Sequence, residues 1–253
     1  MPNCFRCFAR VIAVSACSVL PLTASAQQPR PQRPPDPPKN LQILPKDISR
    51  EDLMAAMQSF TQGLGVRCSY CHADEVAGQD ADMASDEKPA KATARAMMRL
   101  STETNAKLAT LATKPATALT RVQCVTCHRG VAIPKQLPEI VAATTAEKGL
   151  PAAVAQYRDL RKQYYGAQAY DFSEAGLLPF AQRLTQGSKA DEALSWLQLN
   201  LEFYPASART FLAIGQAYDR KGDQDAAIKN VQQALTIDPN NAAAKRALDQ
   251  LKK

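Results

Sequence analysis

Two short stretches concentrate the reactive side chains of this 253-residue chain: Cys68-Ser-Tyr-Cys71-His72 and Cys124-Val-Thr-Cys127-His128. Each is a Cys-x-x-Cys-His, the spacing at which two thiols reach the two vinyl groups of one porphyrin while the adjacent imidazole meets the iron. Cys68, Cys71, Cys124 and Cys127 are therefore expected to bind two covalently attached c-type haems, with His72 and His128 as proximal iron ligands. Chance is a poor account, because the two motifs hold both His of the sequence and every Cys beyond residue 17. Rival chemistries explain less. A four-thiolate zinc site brings its Cys pairs within roughly 15–20 residues of one another, whereas 52 residues separate Cys71 from Cys124. Disulfides joining the pairs leave both imidazoles without a role, and a thioredoxin-like dithiol wants a βαβ context that the pattern lacks.

The second axial ligand of each iron must come from elsewhere. No third His exists, so a bis-His haem cannot be built within one chain, and Met is the expected partner. Five methionines follow the amino-terminal segment: Met54, Met57, Met83, Met97 and Met98. The elements that carry them are legible. Ser49 followed by Asp52 is a capping-box-like start, and Leu53, Met57, Phe60 and Leu64 recur at helical steps, so Met57 shares the apolar face of its helix. A second helix is expected from Pro89 until Lys114-Pro115 stops it, with Met97 on the face of Leu100, Leu108 and Leu111. Met57 and Met97 are the axial candidates, with Met54 and Met98 as their rivals. An acidic, Gly-containing loop from Asp74 to Glu87 joins the helices. Arg67, Arg95 and Arg129 flank these positions and suit bidentate pairing with haem propionates, and Tyr70 is expected to pack.

The residues Ala56-Met57-Gln-Ser-Phe60-Thr-Gln-Gly-Leu64-Gly65-Val66-Arg67 leading into the first motif resemble haem segments of the multihaem cytochrome subunit of photosynthetic reaction centres. So do Ala94-Arg95-Ala96-Met97-Met98-Arg99-Leu100 with Asn105, and the second motif with its Arg129-Gly130. The resemblance runs from about Leu41 to Pro134. It implies that each segment is a helix bearing the axial Met, a turn and the attachment motif, with Met57 serving the first haem and Met97 the second. The family's photosynthetic members carry four haems, one with two His ligands. This chain has two motifs and no spare His, so the resemblance is carried over as haem architecture without the photosynthetic partner.

At the amino terminus, Arg6 and Arg10, an apolar run from Val11 to Leu22 and Ala24-Ser25-Ala26 follow the order of a secretory signal peptide, residues 1–26. An alternative start is lipidation at Cys17 after Val14-Ser15-Ala16. Either route puts the protein in the periplasm or otherwise outside the cytoplasm. Residues 27–40 hold six prolines and read as an extended spacer. The net charge of +7 falls to +5 without Arg6 and Arg10. So dilute an excess in an exported protein points to a solvated surface and to no nucleic acid.

Beyond a haem domain at 41–138 and a linker with a helix from Ala152 to Tyr165 within 139–172, the chain repeats. Pro205 and Pro239 lie 34 residues apart, as do Ala193 and Ala227, Leu197 and Val231, and Leu201 and Leu235. That is the period of a helix-turn-helix solenoid. The unit from Ala208 resembles the tetratricopeptide repeat in Phe211, Ile214, Gly215, Tyr218, Ala227, Val231, Ala234 and Pro239, and the unit from Glu174 is a more degenerate copy. Two repeats cannot close a core alone. A helix from Asn241 is expected to cap one end, and the Ala152–Tyr165 helix or the haem domain the other, completing residues 173–253.

The expectation is an all-α protein, a di-haem c-type cytochrome domain followed by a short solenoid, that passes single electrons between redox partner proteins while the repeats dock a partner or another copy. A di-haem peroxidase or reductase would need one open iron, which Met candidates ahead of both motifs disfavour. A structural subunit of a cytochrome assembly would use the repeats to join copies.

Overall fold

Ser49 starts the first helix: its hydroxyl oxygen accepts from the Asp52 backbone N–H at 3.0 Å and its O–H donates to the Asp52 carboxylate at 2.7 Å. The computed structural model describes residues 37–74, 82–111, 113 and 115–253. Within it, residues 38–253 form one unit. The expected signal segment and most of the proline-rich spacer lie outside the described residues. Helix α1 spans Arg50–Leu64 and α2 spans Pro89–Leu111. Helix α3 is the short Cys124–His128, α4 is Leu137–Lys148 and α5 is Leu150–Tyr164. Then follow α6 (Leu178–Gln186), α7 (Ala190–Phe203), α8 (Ala208–Lys221), α9 (Gln224–Ile237) and α10 (Ala242–Leu251). The described residues contain no strand, so the chain is all-α.

Helices α1, α2 and α5 match the sequence reading to within three residues. Helix α4 departs from it. The sequence reading ends the haem domain at Pro138 and places no helix there, yet Pro138 sits in the first turn of α4, where a missing N–H costs nothing. The Gln136 backbone N–H donates to the Glu139 carboxylate at 3.1 Å, completing the start.

The packed interior lies behind Leu137. Leu137 and Val141 of α4, Ala153 and Tyr157 of α5, Phe172, Leu177, Phe180 and Trp196 form one buried cluster. Its aromatic rings meet edge-on, Tyr157 against Phe172 at 5.6 Å and Phe180 against Trp196 at 5.8 Å between centroids. The α4–α5 hairpin thus covers the open end of the repeat array. Arg158 forks onto Glu202 at 2.6 and 3.2 Å, and Arg161 donates to the Phe172 carbonyl while stacking 4.2 Å from the Phe203 ring, which ties α5 to α7.

The helical hairpins α6–α7 and α8–α9 are the two repeats, and α10 caps the far end, with Asn241 accepting from the Ala244 N–H. A buried polar chain sets their register. Asn200 on α7 donates to the Thr210 hydroxyl at 2.8 Å and to the Glu174 carbonyl, and Ser207 donates to the Glu174 carboxylate at 2.6 Å. Gly215 of α8 is buried where a Cβ would stand 2.6 Å from a Val231 methyl and 3.0 Å from the Ala227 carbonyl. Gly215→Val is therefore expected to pry α8 from α9 and cost about 1–3 kcal/mol by overpacking, read as a lowered melting temperature; an unchanged melt would mean that the α8–α9 contact yields freely.

Candidate haem sites

The two attachment motifs take different local forms. Cys68–Tyr70 is a single 3₁₀ turn closed by Cys71 and His72 N–H groups on the Cys68 carbonyl, whereas Cys124–His128 is a turn of α-helix. Helix α3 ends at Arg129 in the left-handed conformation, φ 50°. All four cysteines are free thiols. Burial pushes the Cys71 thiol up from its ordinary pKa, with Lys91 and Lys88 pulling the other way.

Each imidazole is fixed through its backbone-proximal nitrogen. The Nδ1 of His72 lies 2.9 Å from the Met83 carbonyl, and that of His128 lies 3.0 Å from the Val131 carbonyl. A carbonyl oxygen only accepts, so the proton sits on Nδ1 in both rings and Nε2 keeps its lone pair for a metal. This is the tautomer that an iron ligand requires, and the carbonyl behind it fixes the ring's orientation.

The surroundings fit a large, flat apolar group. Among the described residues from 37 to 130 only Gly63 is buried. Along α2, Met97 (42% exposed), Leu100 (53%), Leu108 and Leu111 (69%) make an apolar stripe facing out of the chain. On α1, Leu53, Met57, Phe60 and Leu64 share a half-buried face, and Met54 is exposed. Helices of this length with apolar faces need something to cover them. Thiol pairs, oriented imidazoles and an apolar surface are the donor set and the cradle of a c-type haem. Among the described residues no three or more His, Cys, Asp or Glu side chains converge as a metal cluster.

The structure brings the two motifs together through glycine. The C-terminal end of α1 abuts α3, where a Cβ on Gly63 would meet the Val125 nitrogen at 3.1 Å and the Cys124 Cβ at 3.2 Å. Gly130 N–H donates to the Gly63 carbonyl at 3.0 Å. Gly65, at φ 64°, caps α1, and a Cβ there would overlap the Gly130 carbonyl. Three residues later the chain enters Cys68. Helix α2 is held to the same region by Asn105, whose side chain donates to the Val122 carbonyl at 2.9 Å and accepts from the Val122 N–H at 2.8 Å, two residues ahead of Cys124. Ser101 adds a bond to the same carbonyl. Met98 lies on this inward side of α2, near Ser101 and Asn105, and Met97 on the outward stripe.

The arginines divide. Arg67 and Arg129 are exposed, but Arg95 is not a free propionate partner: its guanidinium pairs with Asp86 at 2.9 Å and bonds the Asn40 carbonyl. It anchors the loop that carries Met83, a role the sequence offered no hint of. Tyr70, expected to pack, is 45% exposed. The Arg95 hydrogen bond, then Asn40, holds the Asp86 carboxyl well below the usual carboxylate range.

A helical chain with two such stations has the makings of a c-type cytochrome. Comparison with known proteins gives the family: residues 9–184 match the photosynthetic reaction centre cytochrome c subunit, and the chain belongs to that family. Membership implies covalently bound c-type haem. Residues 208–241 match the tetratricopeptide repeat, a module of protein–protein interaction. Cytochrome c-554 of Chloroflexus aurantiacus is 38% identical over 90 residues, which are 35% of this chain and 20% of that protein, so the chain spans only a fifth of the relative's length.

Two outcomes follow from this geometry. Asn105→Ala removes both bonds to Val122 at a half-buried position and is expected to cost about 1–3 kcal/mol, seen as a lower melting temperature and less complete haem attachment at the second motif on intact-mass analysis. Because Asp86 has a depressed carboxyl pKa in the folded state, its contribution is present above the ordinary Asp value of about 3.9 and is lost as pH falls below it; amide exchange in residues 82–88 should quicken there, and should not in Asp86→Asn, which has already lost the ion pair.

Proposed function

We propose that this protein is an exported di-haem c-type cytochrome that carries single electrons between redox partner proteins. The observation that carries the reading is the matched pair of imidazoles, each with its Nδ1 proton held by a backbone carbonyl next to a Cys-x-x-Cys pair. Cys68 and Cys71 would hold one haem and Cys124 and Cys127 the other, with His72 and His128 as proximal ligands. Met57 and Met97 are the distal ligands on this reading, supported by their positions on the apolar faces of α1 and α2. When bound, the group would supply a one-electron iron couple, and ligation by a Met thioether would favour its reduced state. The chain's own work is to hold the imidazole proton, exclude water with the apolar faces and keep the two stations at one backbone junction.

Work outside the cytoplasm is supported by the character of residues 1–26, with periplasmic release or an anchor at Cys17 as the two routes. Among the described residues no helix is long and apolar enough to cross a membrane. The repeats from Glu174 are proposed to dock a redox partner or a second copy, as such repeats form extended concave surfaces.

Expression with haem-maturation machinery should yield a mature protein whose intact mass exceeds the polypeptide by two haems, with a low-spin spectrum. Met57→Ala and Met97→Ala should each turn one low-spin haem high-spin and open to small ligands. One haem or none would sink the di-haem reading, a high-spin resting spectrum with peroxide turnover would make the protein an enzyme, and variants with unaltered spectra would move the ligation to Met54 or Met98.

A further inference from the structure

The two imidazoles are held by carbonyls of different character. The Val131 carbonyl stands three residues after His128, in a turn whose own N–H donates back to the His128 carbonyl, and Val131 is buried. The Met83 carbonyl stands eleven residues after His72, on a loop, and it serves two donors: the Lys91 ammonium donates to it at 2.8 Å while His72 Nδ1 donates at 2.9 Å. Lys91 is not a passing surface cation. Its side chain is 12% exposed, donates also to the Ser85 carbonyl at 2.7 Å and faces Asp86 at 3.5 Å. Arg95 holds that same carboxylate more closely, at 2.9 Å, so the trio of Lys91, Arg95 and Asp86 keeps one net positive charge beside the first motif.

A carbonyl oxygen has two lone pairs and can accept both bonds, but an ammonium draws its electron density and weakens it as an acceptor for the imidazole. A His ligand whose Nδ1–H is less strongly accepted is a less basic ligand. It stabilises oxidised iron less, and a nearby cation acts in the same direction. We infer that Lys91 is a positioning and tuning residue of the first site, raising the reduction potential of a haem bound at Cys68–His72 through the Met83 carbonyl. The inference rests on the di-haem reading above. Among the described residues no cationic side chain donates to the Val131 carbonyl, so the effect belongs to one site.

Lys88 supplies the control. It lies near the same motif, donating to the Ser69 carbonyl and pairing with Asp74 at 2.7 Å, with no hydrogen bond to the Met83 carbonyl. Holoprotein of the wild type, Lys91→Met, Lys91→Gln and Lys88→Met is first weighed to count haems and then titrated spectroelectrochemically. Lys91→Met is expected to lower one midpoint only, so that at a fixed potential the oxidised-to-reduced ratio of that haem rises several-fold. Lys91→Gln, a neutral donor, should fall between it and the wild type, and Lys88→Met should change little. Equal shifts in Lys91→Met and Lys88→Met would reduce the effect to through-space charge and overturn the role of the carbonyl, as would unmoved midpoints or a shift in both haems alike. A wild-type mass without two haems would overturn the underlying reading instead.

Discussion

The structure is governed by where apolar surface finds a partner. Behind Leu137 it finds other side chains, and three buried clusters form. Ahead of Val131 it does not: two helices with apolar faces, the first capped at both ends by Ser49 and Gly65, run through a stretch in which a single described residue, Gly63, is buried. Burial contributes about 25 cal/mol per Å², so helices in that position depend on a large apolar group for tertiary support. The c-type haem that family membership implies would meet that need, and cofactor and core would then be one object in this part of the chain.

The polar interactions of the first half serve to aim groups and to hold segments in place. Asn105 grips both backbone groups of Val122, Arg95 and Asp86 pin the loop bearing Met83, and the glycine junction sets α1 on α3. In the second half the one buried polar chain, Asn200 to Thr210, Ser207 and Glu174, fixes how two hairpins stack. The tetratricopeptide match begins at Ala208, at the start of α8, while the reaction-centre cytochrome match runs into α6. The α6–α7 hairpin therefore joins two sequence families through continuous packing.

Much of this could be read from residues alone. Ser49, Pro89 and the 34-residue spacing announce α1, α2 and the repeats because caps, first-turn prolines and periodic apolar faces act locally. Pro138 misled because a proline read as the close of a region is equally welcome in the first turn of a helix, where the Gln136–Glu139 bond places it. The two motifs and the residues around them announced the cytochrome family that the comparison shows. The carbonyls of Met83 and Val131 were not, since a backbone acceptor leaves no mark on side-chain identity, and the engagement of Arg95 with Asp86 required the loop's path.

The division of packing at Leu137 has a consequence for quality control. A newly made chain that has not met its cofactor would offer proteases an accessible leading segment joined to a well-folded, resistant remainder. Trimming would then discard the failed attachment region selectively, and the survival of full-length polypeptide would itself be a tally of successful maturation.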